Sequence, residues 1–329
     1  MPNAKTAYLA RTVRPVGERE KDEYDRFGPW VMRIASPLEL PPAFDRFGSE
    51  LAASSIAVKI PFSVDRRDAL AGSDLYERVL AVKDESLLVF DLEDGEARRR
   101  EIHDERIAAL ALFREILEGR LIIQVAGGEG LIVHYNAVSM PLMQEVVDEI
   151  RRRPGGKGRG AGPAAPARPV ALGRDLCPPP GAENTFFRNL YQDQSAREPA
   201  MSILAFQPDT RLGFGNGGGG GASARVRALA AIRPLVFPAS MILELPDELL
   251  VIREGERSRV RSKRGYRYEH LWIRKDRLEE ARYEERQARL ALSYSALLIL
   301  AGGHLHELAL ATRPTATLDR LLALSRGPS

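Results

Sequence analysis

LIIQVAGGEGLIVHYNAVSMPLMQEVVDEI, residues Leu121 to Ile150, is the stretch on which the reading of this chain turns. Two apolar runs, Leu121 to Val125 and Leu131 to Tyr135, flank a turn around Gly127-Gly128. Short apolar runs bounded by glycine read as strands joined by a tight turn. Ser139 stands where a helix N-cap is expected, and Pro141 falls in the first turn. Leu142, Val146, Val147 and Ile150 then recur at helical spacing, with Gln144, Glu145, Asp148 and Glu149 on the other face. The predicted order is strand, glycine turn, strand, amphipathic helix.

The end of the chain repeats it. LLILAGGHLHELALATRPTATLDRLLALS, Leu297 to Ser325, has the same two apolar runs and the same Ala-Gly-Gly turn, with a helix expected from Thr315 or Thr317. Leu318, Leu321, Leu322 and Leu324 are expected to face inward. Upstream the similarity continues. VLAVKDESLLVFD, Val79 to Asp91, matches a strand, turn and strand across Ser240 to Arg253, so that Leu249 to Ile252 stands where Leu87 to Phe90 stood. The glycine turns are 175 residues apart and these strand pairs 162 apart. The second copy therefore holds thirteen extra residues within 253–293, where KDRLEEARYEERQARL reads as an extended helix. Retained element order and turn chemistry are the mark of an internal repeat.

Between these landmarks the first copy reads as mostly β. Ser55 to Pro61 and Tyr76 to Val82 read as strands, and Ser86 to Leu92 as another before an Asp94-Gly95 hairpin turn. Glu96 to Ile102 reads as a polar edge, and Ile107 to Ile116 fits either a strand or a short helix. Phe44 to Ala53 and Asn184 to Gln194 read as short helices, and Met201 to Gln207 as a strand. Residues 1–23 form a polar arm, 24–153 the first module, 154–183 a Pro/Gly/Ala-rich basic linker and 184–329 the second module with its longer middle.

The chain has 329 residues, enough for two domains each with its own core. Its apolar runs are far shorter than a bilayer span, and the first residues lack a signal core, which together point to the cytoplasm. One cysteine, Cys177, excludes an internal disulfide and a cysteine-rich metal site. The net charge is +3, yet Arg151 to Arg174 alone carries seven basic and no acidic residues, leaving −4 for the rest. The basic excess therefore sits in the linker, which disfavours nucleic acid as a partner.

A meander of about seven short strands closed by one helix resembles a pleckstrin-homology-like barrel. Residues 24–153 are similar to a group of uncharacterised bacterial proteins with bacterial PH-like modules. The similarity lies in Tyr24-Asp25-x-Phe27-Gly28-Pro29-Trp30, in Lys59-Ile60-Pro61, in Arg66-Arg67-Asp68-Ala69, in Asp74-Leu75-Tyr76 and above all in Tyr135-Asn136-Ala137-Val138-Ser139. The second copy lacks the last element and has Ala311-Thr312-Arg313-Pro314-Thr315 there. The resemblance implies a fold, α+β and mainly β, with two PH-like barrels each closed by a C-terminal helix. It implies no activity.

Candidate chemistry is sparse. Arg257, Arg259, Arg261 and Lys263 alternate, so on a strand four cations would share one face and suit an anionic ligand. The plain alternative is a charged edge strand that discourages pairing. Gly213-Phe214-Gly215-Asn216-Gly217-Gly218 spells a dinucleotide fingerprint, with Glu244 at the end of a later strand. Pro208 to Arg211 separate it from the preceding strand, and five consecutive glycines suit an unshaped loop. His304 and His306 share a strand face without a third metal ligand, and Trp30 and Trp272 read as packing residues. Asn136 reads as a local backbone bond at its turn, and Asp65 to Asp68 as a surface ion network or a partner contact. No G-x-S-x-G, Walker A or H-E-x-x-H motif occurs. The expectation is a non-enzymatic binding or scaffold protein with no cofactor, no metal and no catalytic residue. Its partner would be a protein or peptide, or else an anionic lipid surface. The alternative is a nucleotide-binding enzyme using 213–218.

Overall fold

The structure is a computed structural model that describes residues 13–153, 185–212, 235–254, 267–287, 293–310 and 315–325. The fold is mainly β with flanking helices. Among the described residues no helix is long and apolar enough to cross a membrane. The chain divides into two compact units. The segment read as a linker, 154–183, lies outside the described residues.

The first unit is organised on a five-stranded antiparallel sheet in sequence order. Its strands are β1 (Met32–Arg33), β2 (Ile56–Pro61), β3 (Tyr76–Val82), β4 (Ser86–Glu93) and β5 (Glu96–His103). Val58 stands opposite Leu80, and Leu80 opposite Val89. All six residues of β2 are buried. The β4–β5 turn is Asp94-Gly95, both at positive φ (51° and 84°), the backbone that a two-residue hairpin requires. Phe27, Leu40, Phe44, Phe47, Tyr76, Val79 and Phe90 form the core against one side. Spanning the end of the polar arm and the start of the first module, Glu18–Arg26 forms helix α1, whose start is closed by Glu20 accepting from the Gly17 amide. Pro42–Phe47 and α2 (Gly48–Leu51) supply the short helix expected near Phe44.

The glycine-turn stretch folds in the predicted order. It forms β7 (Glu118–Val125), β8 (Leu131–Asn136) and α3 (Met140–Arg152), preceded by β6 (Ile107–Arg114), which is a strand. The unit boundary passes through β6 and β7: Arg114–Ile122 belong with the first unit, Ala108–Phe113 and Ile123–Gly130 with the second. Helix α3 buries Met143, Val146, Val147 and Ile150. Met143 therefore takes the inward place expected of Leu142, because the Ser139 turn starts the helix at Met140 and sets the phase of its buried face. Arg153 closes the helix by donating to the carbonyls of Lys83 and Ser86, the latter at 2.8 Å, with Asp104 3.1 Å from its guanidinium.

The second unit opens with α4 (Thr185–Arg197), seated by the buried Phe187. Strands β9 (Ser202–Gln207), β12 (Ser240–Glu244), β13 (Glu248–Glu254) and β14 (Tyr268–Arg274) pair antiparallel in the order β9-β12-β13-β14. β10 (Thr210–Leu212) and β11 (Leu235–Phe237) form a separate two-stranded ribbon. β15 (Leu278–Gln287), β16 (Ser293–Ala301) and β17 (His304–Leu310) form a third sheet, followed by α5 (Thr315–Ser325). Leu321 is the fully buried residue of α5.

The two copies share element order as well as motifs. β2 to β5, a one-turn 3-10 helix at Asp104–Arg106, β6 to β8 and α3 correspond to β9, β12 to β14, a 3-10 helix at Lys275–Arg277, β15 to β17 and α5. The 3-10 helices are 171 residues apart. Nine of the thirteen extra residues (171 against 162) therefore lie before that turn, and four (175 against 171) after it. The turn glycines Gly127 and Gly302 both have positive φ, 63° and 55°. Among the described residues none of the sheets closes on itself.

The segment read as an extended helix is instead strand β15. Glu280, Arg282, Glu284 and Arg286 lie two apart and pair along one strand face, at 2.6 Å (Arg282–Glu280), 2.8 Å (Arg282–Glu284) and 3.0 Å (Arg286–Glu284). Glutamate and arginine favour helices intrinsically, but β16 offers a full antiparallel partner from Leu278 to Gln287, and tertiary pairing overrides propensity.

Glu244, at the end of β12, ties α5 to this framework. Its carboxylate accepts from Arg320 at 2.7 and 2.5 Å and from Lys275 at 2.8 Å. Burial pushes this carboxyl up, but the bonds from Arg320 and Lys275 outweigh it and hold it below the usual range. Glu244→Ala is expected to lower unfolding free energy by roughly 1–3 kcal/mol in urea titration, since it strands two cations. Arg282→Ala, in the exposed ladder of β15, is expected to leave the urea midpoint unchanged.

Candidate functional site

The residues singled out for anion binding, Arg257, Arg259, Arg261 and Lys263, lie outside the described residues, as does the loop Gly213 to Gly218. Glu244, the acid that a dinucleotide reading would assign to ribose, is held by Arg320 and Lys275. His304 and His306 do share one face of β17. The His304 Nε2 atom lies 3.1 Å from the Val125 carbonyl, and burial pushes His306 down to about 4, aided by Arg253 and His304. His306 is therefore neutral at physiological pH. Among the described residues no group of three His, Cys, Asp or Glu side chains converges as a metal site would require.

The Tyr135 to Ser139 element, absent from the second copy, is a junction of three chain segments. Asn136 Oδ1 accepts from the Val138 amide at 3.0 Å, the local role expected of it. Ser139 caps no helix amide with its side chain; its Oγ accepts from the amide of Val31 at 2.8 Å, 108 residues away. The Ala137 amide donates to Leu117 O at 2.9 Å, and the Tyr135 hydroxyl donates to Met140 Sδ at 3.3 Å. These bonds fix the backbone while the intervening side chains point outward. Val138 is 74% exposed, Leu117 71%, Ile116 59% and Trp30 45%.

Trp30 therefore departs from its expected place in the packing, whereas Trp272 is buried as expected. Gly28 explains the difference. Its backbone lies so close to the indole that a Cβ there would come within 2.2 Å of the ring. The chain bends over Pro29, and the indole lies against the Gly28 backbone with its outer face open.

A second constellation lies under α1. Lys59 projects from β2 and is 6% exposed. Its Nζ donates to Glu39 O at 2.8 Å, lies 4.4 Å from the centre of the Tyr76 ring and is 3.9 Å from Glu23 Oε1. Arg14 pairs with Asp74 at 2.9 Å, and Arg19 grips Asp45 through two bonds of 2.5 and 2.8 Å and donates also to Leu40 O. Burial pushes the Lys59 ammonium down, the Tyr76 phenol up, and the Glu23 carboxyl up to about 7. In the sequence Lys59 stands out only within the Lys59-Ile60-Pro61 resemblance and as one residue of a strand, with no role of its own. A lone lysine inside the apolar run of SIAVKIP was the available signal.

No protein-family model matches the chain, and a search of curated proteins returns no match.

Glu23 makes stability depend on pH in a defined direction. A carboxyl whose folded value lies above its unfolded one contributes most when protonated, so its contribution is full below about 4.5 and lost as pH rises through about 7. Lys59, Arg19, Glu20 and Asp74 are the charges that face it. The thermal midpoint of the wild type, relative to Glu23→Gln, is expected to fall between pH 4.5 and 7.5. A parallel pair of curves across that range would contradict the burial of this carboxyl.

Proposed function

We propose that the chain is a non-enzymatic binding or scaffold protein built from two PH-like modules, and that the first holds a protein or peptide partner on the surface formed by Trp30, Ile116, Leu117 and Val138. The module reading is supported by the element order, which in each copy runs through seven strands to one closing helix. The binding reading rests chiefly on one observation. Four large apolar side chains stand exposed on segments that hydrogen bonds between Val31 and Ser139 and between Ala137 and Leu117 tie together. Clustered exposed apolar side chains mark interaction surfaces, and tryptophan is enriched at their centres. Preformed backbone lowers the ordering cost of docking.

The full chain used as bait, cross-linked in cells and purified, is expected to recover one partner. The double substitution Leu117→Asp with Val138→Asp should lower its recovery at least tenfold while leaving the thermal midpoint within a few degrees of wild type. Recovery that survives both substitutions in a folded protein would move the binding face elsewhere. Loss of recovery with charge reversal at Arg259 and Arg261 instead would favour an anionic surface.

A further inference from the structure

Helix α1 is held on the first unit in an unusual way. Its nine residues, EREKDEYDR, include none that is buried. Amphipathic helices normally stay docked through an apolar stripe. Here the attachment is mostly polar: Arg19 on Asp45 and Leu40 O, Arg14 on Asp74 and Gly72 O, and Arg66 reaching back to the carbonyls of Asp25 and Phe27. Tyr24 contributes a partly buried ring. The firm anchor comes immediately after the helix. Phe27 is fully buried and meets the Tyr76 ring edge-on at 6.0 Å. The segment before it is therefore a strap, hinged at Phe27 and clipped down at Arg14 and Arg19.

What the strap covers is a cation with an aromatic floor. Lys59 and Tyr76 are 6% and 1% exposed. Glu23 is the strap residue that faces Lys59, but at 3.9 Å it is outside hydrogen-bonding distance. The ammonium keeps a carbonyl, an aromatic face and an ill-fitting carboxylate. A charge taken out of water gains most from a carboxylate at full hydrogen-bond contact. We propose that Lys59 and Tyr76 form a latent carboxylate-binding site for an acidic peptide, and that Glu23 on α1 is its internal, displaceable occupant. Peptide and strap compete, so apparent affinity is reduced by the fraction of molecules in which the strap is lifted. This site shares no residue with the apolar surface around Val138 and stands whether or not that surface binds a partner.

The experiment uses the full chain and a fluorescein-labelled hexa-aspartate peptide read by anisotropy. Arg14→Ala with Arg19→Ala unclips the strap without touching Lys59. Asp45→Ala, which loosens the same clip from the opposite side, serves where the double variant does not fold. Amide exchange should quicken across 18–26 in the unclipped protein while β2 to β4 stay protected. Peptide binding should tighten at least tenfold over wild type, and adding Lys59→Met should return it to the wild-type level. An α1 that stays protected in both unclipped variants, a freed strap with no gain in binding, or a gain that survives Lys59→Met would each overturn the proposal.

Discussion

Lys59 sits in a strand with no exposed residue, and much of the first unit answers to that fact. A strand buried along its whole length needs cover on both faces. An ammonium group within it needs partners that water would otherwise supply. The carbonyl of Glu39, the ring of Tyr76 and the carboxyl of Glu23 fill that need from three separate chain segments. Both of the covering segments are polar at this point, and α1 is clipped down by Arg14 and Arg19 as well. Glu39 ends a short proline-led 3-10 turn, and Glu23 belongs to a helix with no buried residue. One buried charge thus meets polar chain over an apolar sheet. Replacing such a charge by a similar apolar side chain is often neutral or stabilising, so its presence calls for a reason other than stability.

The two copies solve a shared problem with different residues. Each must fasten its closing helix to the strand layer. The first uses Arg153, just past the end of α3, donating to carbonyls at the β3–β4 hairpin. The second uses Arg320, inside α5, on the carboxylate of Glu244 at the corresponding hairpin. The first thus combines carbonyl acceptors with one carboxylate, Asp104, whereas the second needs a glutamate, a lysine and an arginine together. The internal repeat is therefore conserved in geometry and relaxed in chemistry.

Much of the architecture could be read from the residues because it rests on local rules. Asp94-Gly95, the paired Ala-Gly-Gly turns and the α3 pattern each specify backbone within a few residues. The misreadings came where distant chain decided the outcome. KDRLEEARYEERQ has helical propensity and becomes a strand because β16 lies beside it. Ser139 stands at the N-cap as expected, but its hydroxyl accepts from the distant Val31 amide and not from the helix. Trp30 is the local exception: it reads as core, but its indole lies against the Gly28 backbone two residues earlier and stays exposed. Of the candidate sites, the alternating cations and the glycine fingerprint drew attention through pattern alone. The Lys59 constellation has no pattern, since its members at 14, 23, 39, 59, 74 and 76 meet only through folding.

The duplicated glycine turn carries a last consequence. Gly127 and Gly302 adopt the same left-handed backbone, but their surroundings differ. A Cβ at 127 would meet nothing within 4 Å, while one at 302 would lie 2.4 Å from the Cβ of Ala108. The first position asks only for a residue tolerant of positive φ, so asparagine or aspartate can stand there at modest cost. The second forbids any side chain at all. Copies that began alike would drift apart at this point, the turn in the first free to wander and its counterpart held to glycine by an alanine nearly two hundred positions earlier in the chain.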